Sequence, residues 1–318
     1  MAKALSEAHS SVQVGCKTRW MGVRFRLRND MTSIIGLLAD TDHKMQVGNI
    51  LISADELITY SSGGIPVSSN RHGGKIYDLP CGFYVAIADD ISRSHQVVSF
   101  LYDRMGKLGV IPGHASTTDL VKLALADTAN YVKLWIRKQI CGDYGVSEDE
   151  FLHDQNLNER ESIRADLKAA VIGTELIIGG FGVNNSPVLF YTDCINIQEQ
   201  TSPGLFCAGS GSIAALNWLN FRGQNCFMGT QRSFYHLREA QHFAEITPTV
   251  GHSTVTLLLT PGNPAKPITS DEDSFLQDWA KEYAPKSTLS LDSKEKRDRF
   301  TSSLGMKLPP TPGGKSYK

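Results

Sequence analysis

The order of its apolar segments constrains this chain most. Short strand-like runs come in blocks, and two pairs of helix-like segments separate the blocks. Ile- and Leu-rich runs cover 32–38 and 49–54, then 75–79 and 83–88, with Pro80-Cys81-Gly82 as a turn. Residues 92–105 set Val97, Val98, Leu101 and Met105 on one helical face. A longer helix is predicted from Thr117 to about Lys138, with Leu120, Leu123, Ala124, Thr128, Tyr131, Leu134 and Trp135 as its inner stripe. Strands return at 175–182 and 187–193 around the turn Val183-Asn184-Asn185-Ser186, and again at 205–208. A helix carrying Ile213, Leu216, Leu219 and Phe221 follows, then one over about 234–243, and 253–260 is a closing strand. Antiparallel blocks alternating with helix pairs predict an α+β fold, with two sheets face to face and helices outside. That is a four-layer αββα sandwich, distinct from the βαβ alternation of a dinucleotide-binding domain.

The flanks differ from this core. Residues 1–30 read as an extension: a propeptide, an extra strand, or a start assigned too early, with Met21 and Met31 as later starts. Residues 1–11 lack the apolar core of a secretory signal. Acidic, polar residues 141–169 read as an irregular insertion with a solvated surface. Residues 263–318 form a charged, Pro-rich tail in which only 274–283 has helical apolar spacing. The core domain is therefore expected at 31–262.

Composition removes several function classes. A net charge of -1 gives no global attraction to nucleic acid or to an anionic membrane, and 20% charged residues with 41% hydrophobic ones suit an ordinary globular protein. No apolar run approaches the roughly 20 residues that span a bilayer. The six cysteines, Cys16, Cys81, Cys141, Cys194, Cys207 and Cys226, are scattered, with no zinc-ligand spacing, which points to a reducing, cytoplasmic setting. The histidines have no metal spacing and the Gly-rich segments lack a phosphate-loop lysine, so neither metal nor cofactor is expected.

The chemistry-bearing residues cluster at strand ends. MTSIIG puts Thr32 at the head of the first strand, GNILISADELIT ends the second at Asp55 with Thr59 four residues on, and KIYDLPCGFYVAIADD opens on Lys75. AGSGSIAALNWL puts Ser210 in a turn before a helix. In this order, the four segments resemble those of the proteasome β-type subunits and the related HslV-type peptidases, which are N-terminal-nucleophile (Ntn) hydrolases. The resemblance covers residues 31 to about 260. It implies the αββα fold independently. It also implies a threonine-type peptidase in which Thr32, freed of the residues before it, is the nucleophile, with Asp55, Lys75 and Ser210 as the other catalytic residues. Thr59, Ile87 and Asp89 fall on substrate-contacting positions, Ile87 in the main specificity pocket and Asp89 where the family has a glycine donating an oxyanion-hole N–H. Implied partners are a peptide or protein substrate, copies of the chain in a ring, and an unfoldase or regulator.

Those residue types suit the chemistry. A threonine hydroxyl needs a base, and a free α-amine on the same residue supplies one. A neighbouring ammonium keeps that amine neutral and stabilises developing negative charge, and an aspartate fixes the ammonium. Plainer readings exist for each: Thr32 as a strand starter, Asp55 as a turn cap or partner of Arg71, Lys75 as a surface lysine, Ser210 as a helix cap.

Three places depart from the family pattern. Asp30-Met31, not a glycine, precedes Thr32, and Asp89 replaces the oxyanion-hole glycine. Before the last strand, AEITPTVGHSTV puts Ile246 or Thr247 where the family has a second aspartate, with Glu245 adjacent. Gly15-Cys16 is a second nucleophile candidate, though no suitable strand follows it directly. The alternative function is a catalytically inactive protein of the same fold that serves assembly or binding.

Overall fold

The computed structural model describes residues 32–268 apart from 45, 57, 63–64, 70–73, 90, 112–113, 155–156, 171–173, 201, 247–249 and 252. The N-terminal extension with Cys16, the residues Arg71 and Thr247, and the segment 274–283 lie outside the described residues.

The chain forms an α+β fold with two five-stranded antiparallel sheets and, among the described residues, six α-helices. Sheet 1 has the order β10-β1-β2-β11-β12, with β1 Ile34–Ala39, β2 Asn49–Asp55, β10 Leu205–Ala208, β11 Thr254–Leu259 and β12 Lys266–Pro267. Sheet 2 has the order β5-β6-β7-β8-β9, with β5 Ile76–Leu79, β6 Phe83–Asp89, β7 Thr174–Phe181, β8 Pro187–Thr192 and β9 Ile197–Gln200. β3 Ile58–Ser62 and β4 Ile65–Ser69 form a separate hairpin directly after β2. The helices are α1 Ile91–Lys107, α2 Thr117–Asp143, α3 Glu148–His153, α4 Arg160–Ala169, α5 Ser212–Phe221 and α6 Thr230–Ala244.

Three apolar clusters set the layers. Ile34, Leu38, Ile50 and Ile52 of sheet 1 meet Ala86, Ala88, Ile177 and Leu189 of sheet 2. Ile35, Leu37 and Leu51 on the other face of sheet 1 pack under α5 and α6 through Ala215, Leu219, Leu237 and Ala240. Phe83, Val85, Ile87, Leu176 and Ile178 on the far face of sheet 2 pack under α1 and α2 through Val97, Leu101, Val121 and Leu125. β1 is covered on both faces, which is why IIGLLA is an unbroken apolar run instead of an alternating one. Truncating one of its fully buried side chains, such as Leu38→Ala, is expected to cost about 2–5 kcal/mol. The sheets approach closely at Gly179, where an added Cβ would lie 2.9 Å from Ile52 Cδ1.

Several expectations need correction. α2 is 27 residues long and buries Val121, Ala124, Leu125, Thr128, Ala129 and Val132, while Leu123 and Leu134 are exposed. The buried stripe runs through Val121, Leu125, Thr128 and Val132, with Ala124 and Ala129 beside it, and Leu123 and Leu134 point to solvent. On α5, Ile213 and Phe221 are exposed and only Ala215 and Leu219 are buried. The segment expected to be irregular holds α3 and α4, with Phe151 and Ile163 closing on Cys141 of α2 as a small satellite core. The start of α3 is fixed by a capping box between Ser147 and Glu150.

Candidate active site at one end of the two sheets

The strand register brings the candidate residues to one end of the sandwich. β1 and β2 pair with Ile34 opposite Ala54, so the next residues of each chain, Ser33 and Asp55, meet at the sheet end. Asp55 N–H donates to Ser33 O at 3.1 Å, and Ser33 N–H donates to Asp55 Oδ1 at 2.8 Å. Thr32 therefore sits one residue beyond a clamped pair. β10 pairs with the other side of β1, with Ala208 opposite Ile34, which brings the 209–211 turn beside Thr32. Lys75 comes from sheet 2, where its carbonyl accepts the Ile87 N–H at 2.9 Å.

These placements bring Thr32, Asp55, Lys75 and Ser210 together. Lys75 Nζ lies 3.0 Å from Thr32 Oγ1 and 3.0 Å from Asp55 Oδ1. Thr32 N–H donates to Ser210 Oγ at 3.1 Å, and Thr32 O accepts the Gly211 N–H at 3.3 Å. Asp55 is fully buried, and Thr32 and Lys75 are each 3% exposed. A buried ion pair persists only when its remaining hydrogen-bonding capacity is met. Asp55 meets that condition, because its Oδ2 accepts the Gly251 N–H at 3.1 Å. Burial pushes the Asp55 carboxyl above its ordinary range, while the Lys75 ammonium and the Ser33 and Gly251 N–H groups pull it back.

The turn itself depends on glycine. Gly209 has a φ of +83°, and a Cβ there would lie 2.1 Å from Thr32 O. Only a residue without a side chain lets the turn approach Thr32 so closely.

The other sequence candidates are placed less directly. Thr59 lies on β3, opposite Ser68, and Asp89 ends β6 opposite Thr174; their side chains are not among those described. Ile87 is 1% exposed and belongs to the cluster beneath α1 and α2. Its backbone holds Lys75 in place. Glu245 pairs with Arg238 and His242 of α6, and Ile246 is exposed. The segment before β11 reaches the site through the Gly251 amide, a contact that side-chain pattern could not reveal. Glu175, which accepts the Gly209 N–H at 2.7 Å, also had no signal beyond its charge within an apolar strand.

Chemically, the cluster presents a hydroxyl beside an ammonium, a carboxylate that fixes the ammonium, and a serine at the threonine nitrogen. Among the described residues no three His, Cys, Asp or Glu side chains are grouped to hold a metal ion, and no helix is long and apolar enough to cross a membrane. Comparison with protein-family models and with curated proteins finds no match to this chain.

Proposed function

We propose that this protein is a proteasome-like Ntn hydrolase, a threonine-type peptidase in which Thr32 is the nucleophile once the residues before it are removed. The observation that carries this reading is the Lys75 ammonium, 3.0 Å from both Thr32 Oγ1 and Asp55 Oδ1 in a buried setting. A surface lysine or a strand-starting threonine needs no such arrangement.

The chemistry runs as follows. While Met31 is attached, the Thr32 nitrogen is an amide and cannot take a proton. Cleavage of the Met31–Thr32 bond turns it into an α-amine, whose ordinary pKa is about 7.7–8.0. The ammonium of Lys75 beside it favours the neutral amine. The amine takes the Oγ1 proton, directly or through a water, as Oγ1 attacks the scissile carbonyl. The C–N bond of the substrate then breaks, the amine proton passes to the leaving nitrogen, and an ester remains on Thr32. Water attacks that ester with the same amine as base, releasing the acid and restoring the hydroxyl. Lys75 stabilises the negative charge developing at Oγ1, and Ser210 Oγ orients the amine. The Asp89 N–H stands as the oxyanion donor in this reading.

Peptide or protein substrates, a ring of copies and an unfoldase or regulator belong to the same proposal. Ile213 and Phe221 on α5, 73% and 75% exposed, are apolar surface of the kind that assembly covers.

A second reading, a catalytically inactive protein of the same fold serving assembly or binding, is favoured by the bonding of Thr32 as an internal residue. Its N–H and C=O are both satisfied by the 210–211 turn, an arrangement that needs no free amine. Peptide hydrolysis by the purified protein, its Thr32→Ala variant and its Thr32→Ser variant separates the two. Thr32→Ala is expected to lose at least about a thousandfold in turnover with folding intact, and Thr32→Ser to keep part of it. Equal turnover in wild type and Thr32→Ala rules out the nucleophile.

A further inference from the structure

Glu175 is the second residue of β7, opposite Ala88 of β6. Cross-strand partners share a face, so its side chain points with Ala88 into the space between the sheets. Along β7 that face continues through Ile177 and Gly179, and Glu175, near the start of the strand, is half-buried, so its carboxylate gains from being hydrogen-bonded. It is engaged twice. Glu175 Oε1 accepts the Tyr191 O–H at 2.7 Å, and Oε2 accepts the Gly209 N–H at 2.7 Å. The first contact anchors the carboxylate within sheet 2, and the second crosses to the β10–α5 turn of sheet 1.

That turn carries Ser210, which meets the Thr32 nitrogen, and Gly211, which meets the Thr32 carbonyl. Among the described residues, Glu175 to Gly209 thus joins Lys75 to Asp55 and Thr32 as a tie between the sheets at the site.

We infer that Glu175 is a positioning residue: by holding Gly209 it fixes Ser210 against the nitrogen of Thr32. This rests on the reading of Thr32 as the nucleophile. Glu175 does not touch the reacting atoms, and its effect passes through the turn. Its acceptor oxygens matter more than its charge. A glutamine can offer one oxygen to Gly209 and its NH2 group to the Tyr191 oxygen, whereas an alanine offers nothing.

The test combines amide hydrogen exchange across 205–212 with steady-state peptide hydrolysis, on the full mature protein and its Glu175→Ala and Glu175→Gln variants. Glu175→Ala is expected to speed exchange at 209–211 selectively and to lower kcat about 10- to 100-fold, with KM within about twofold. Glu175→Gln is expected to restore protection and bring kcat within about threefold of wild type. Unchanged exchange in Glu175→Ala overturns the clamp. Faster exchange with wild-type kcat reduces Glu175 to a structural contact and overturns the positioning role. A Glu175→Gln variant as slow as Glu175→Ala shows that charge, and not the acceptor, matters, and overturns it too. A wild-type protein that hydrolyses no peptide overturns the nucleophile reading itself, and the positioning role falls with it.

Discussion

Lys75 Nζ donates to Thr32 Oγ1 at 3.0 Å, joining the residue just before β5 in one sheet to a residue two positions before β1 in the other. Neither residue is near the other in sequence, and both are buried. The same ammonium neutralises Asp55, so its removal has consequences for stability as well as for chemistry.

Lys75→Met removes the ammonium from the buried Asp55 carboxylate, which keeps the Ser33 and Gly251 N–H donors. A destabilisation of about 3–5 kcal/mol is expected in urea unfolding. The double variant Asp55→Asn/Lys75→Met is expected to recover part of that loss, because no charge is then left unpaired. A double variant less stable than Lys75→Met contradicts the ion-pair account. Both variants are expected to be inactive.

Gly209→Ala places a methyl against the Thr32 carbonyl at a backbone angle that L-residues avoid. A cost of at least about 2 kcal/mol is expected, along with loss of any activity that depends on Thr32. Thermal unfolding and peptide turnover measure the two effects. A stable, active Gly209→Ala protein means that the turn does not lie against the Thr32 carbonyl.

Much of the fold was legible in the sequence, because β1, β2, β6, β7, β8 and β11 are apolar runs bounded by turn residues. β9 was not, since Ile197-Gln198-Glu199-Gln200 is a polar edge strand held by backbone pairing with β8. α3 had a signal that composition hid: Ser147 and Glu150 form a capping box inside a stretch that reads as merely acidic. On α2, Ala124 and Thr128 of the expected stripe are buried, whereas Val121, Leu125 and Val132 carry the rest of the buried face in place of Leu123 and Leu134, because the sequence offers apolar residues on more than one side of this helix. At the site, side chains at strand ends were legible by type and order. The Gly251 and Gly209 amides were not, because any residue but proline supplies an N–H and only the folded backbone aims it.

His236 on α6 gives a pH-dependent signature unrelated to the site. It is 3% exposed, its Nδ1 lies 3.0 Å from Gln224 Oε1, and burial, helped by Arg232 and Arg222, lowers its pKa to about 3. The unfolded chain takes up this proton near pH 6.5 and the folded chain only near pH 3, so stability is full above 6.5 and falls with acidification through that window. Between pH 6.5 and 5 the loss is expected to reach about 2 kcal/mol. Urea midpoints across that range should fall less steeply for His236→Gln than for wild type. Equal slopes contradict a neutral buried His236.

The identity of the first residue of the mature protein tests the central claim most directly. Intact mass and N-terminal sequencing of purified, peptide-hydrolysing protein are expected to show a chain beginning at Thr32, with a free α-amine beside Lys75 and Ser210. Active protein in which Met31 is still joined to Thr32 contradicts the account, because the threonine nitrogen is then an amide and cannot serve as the base.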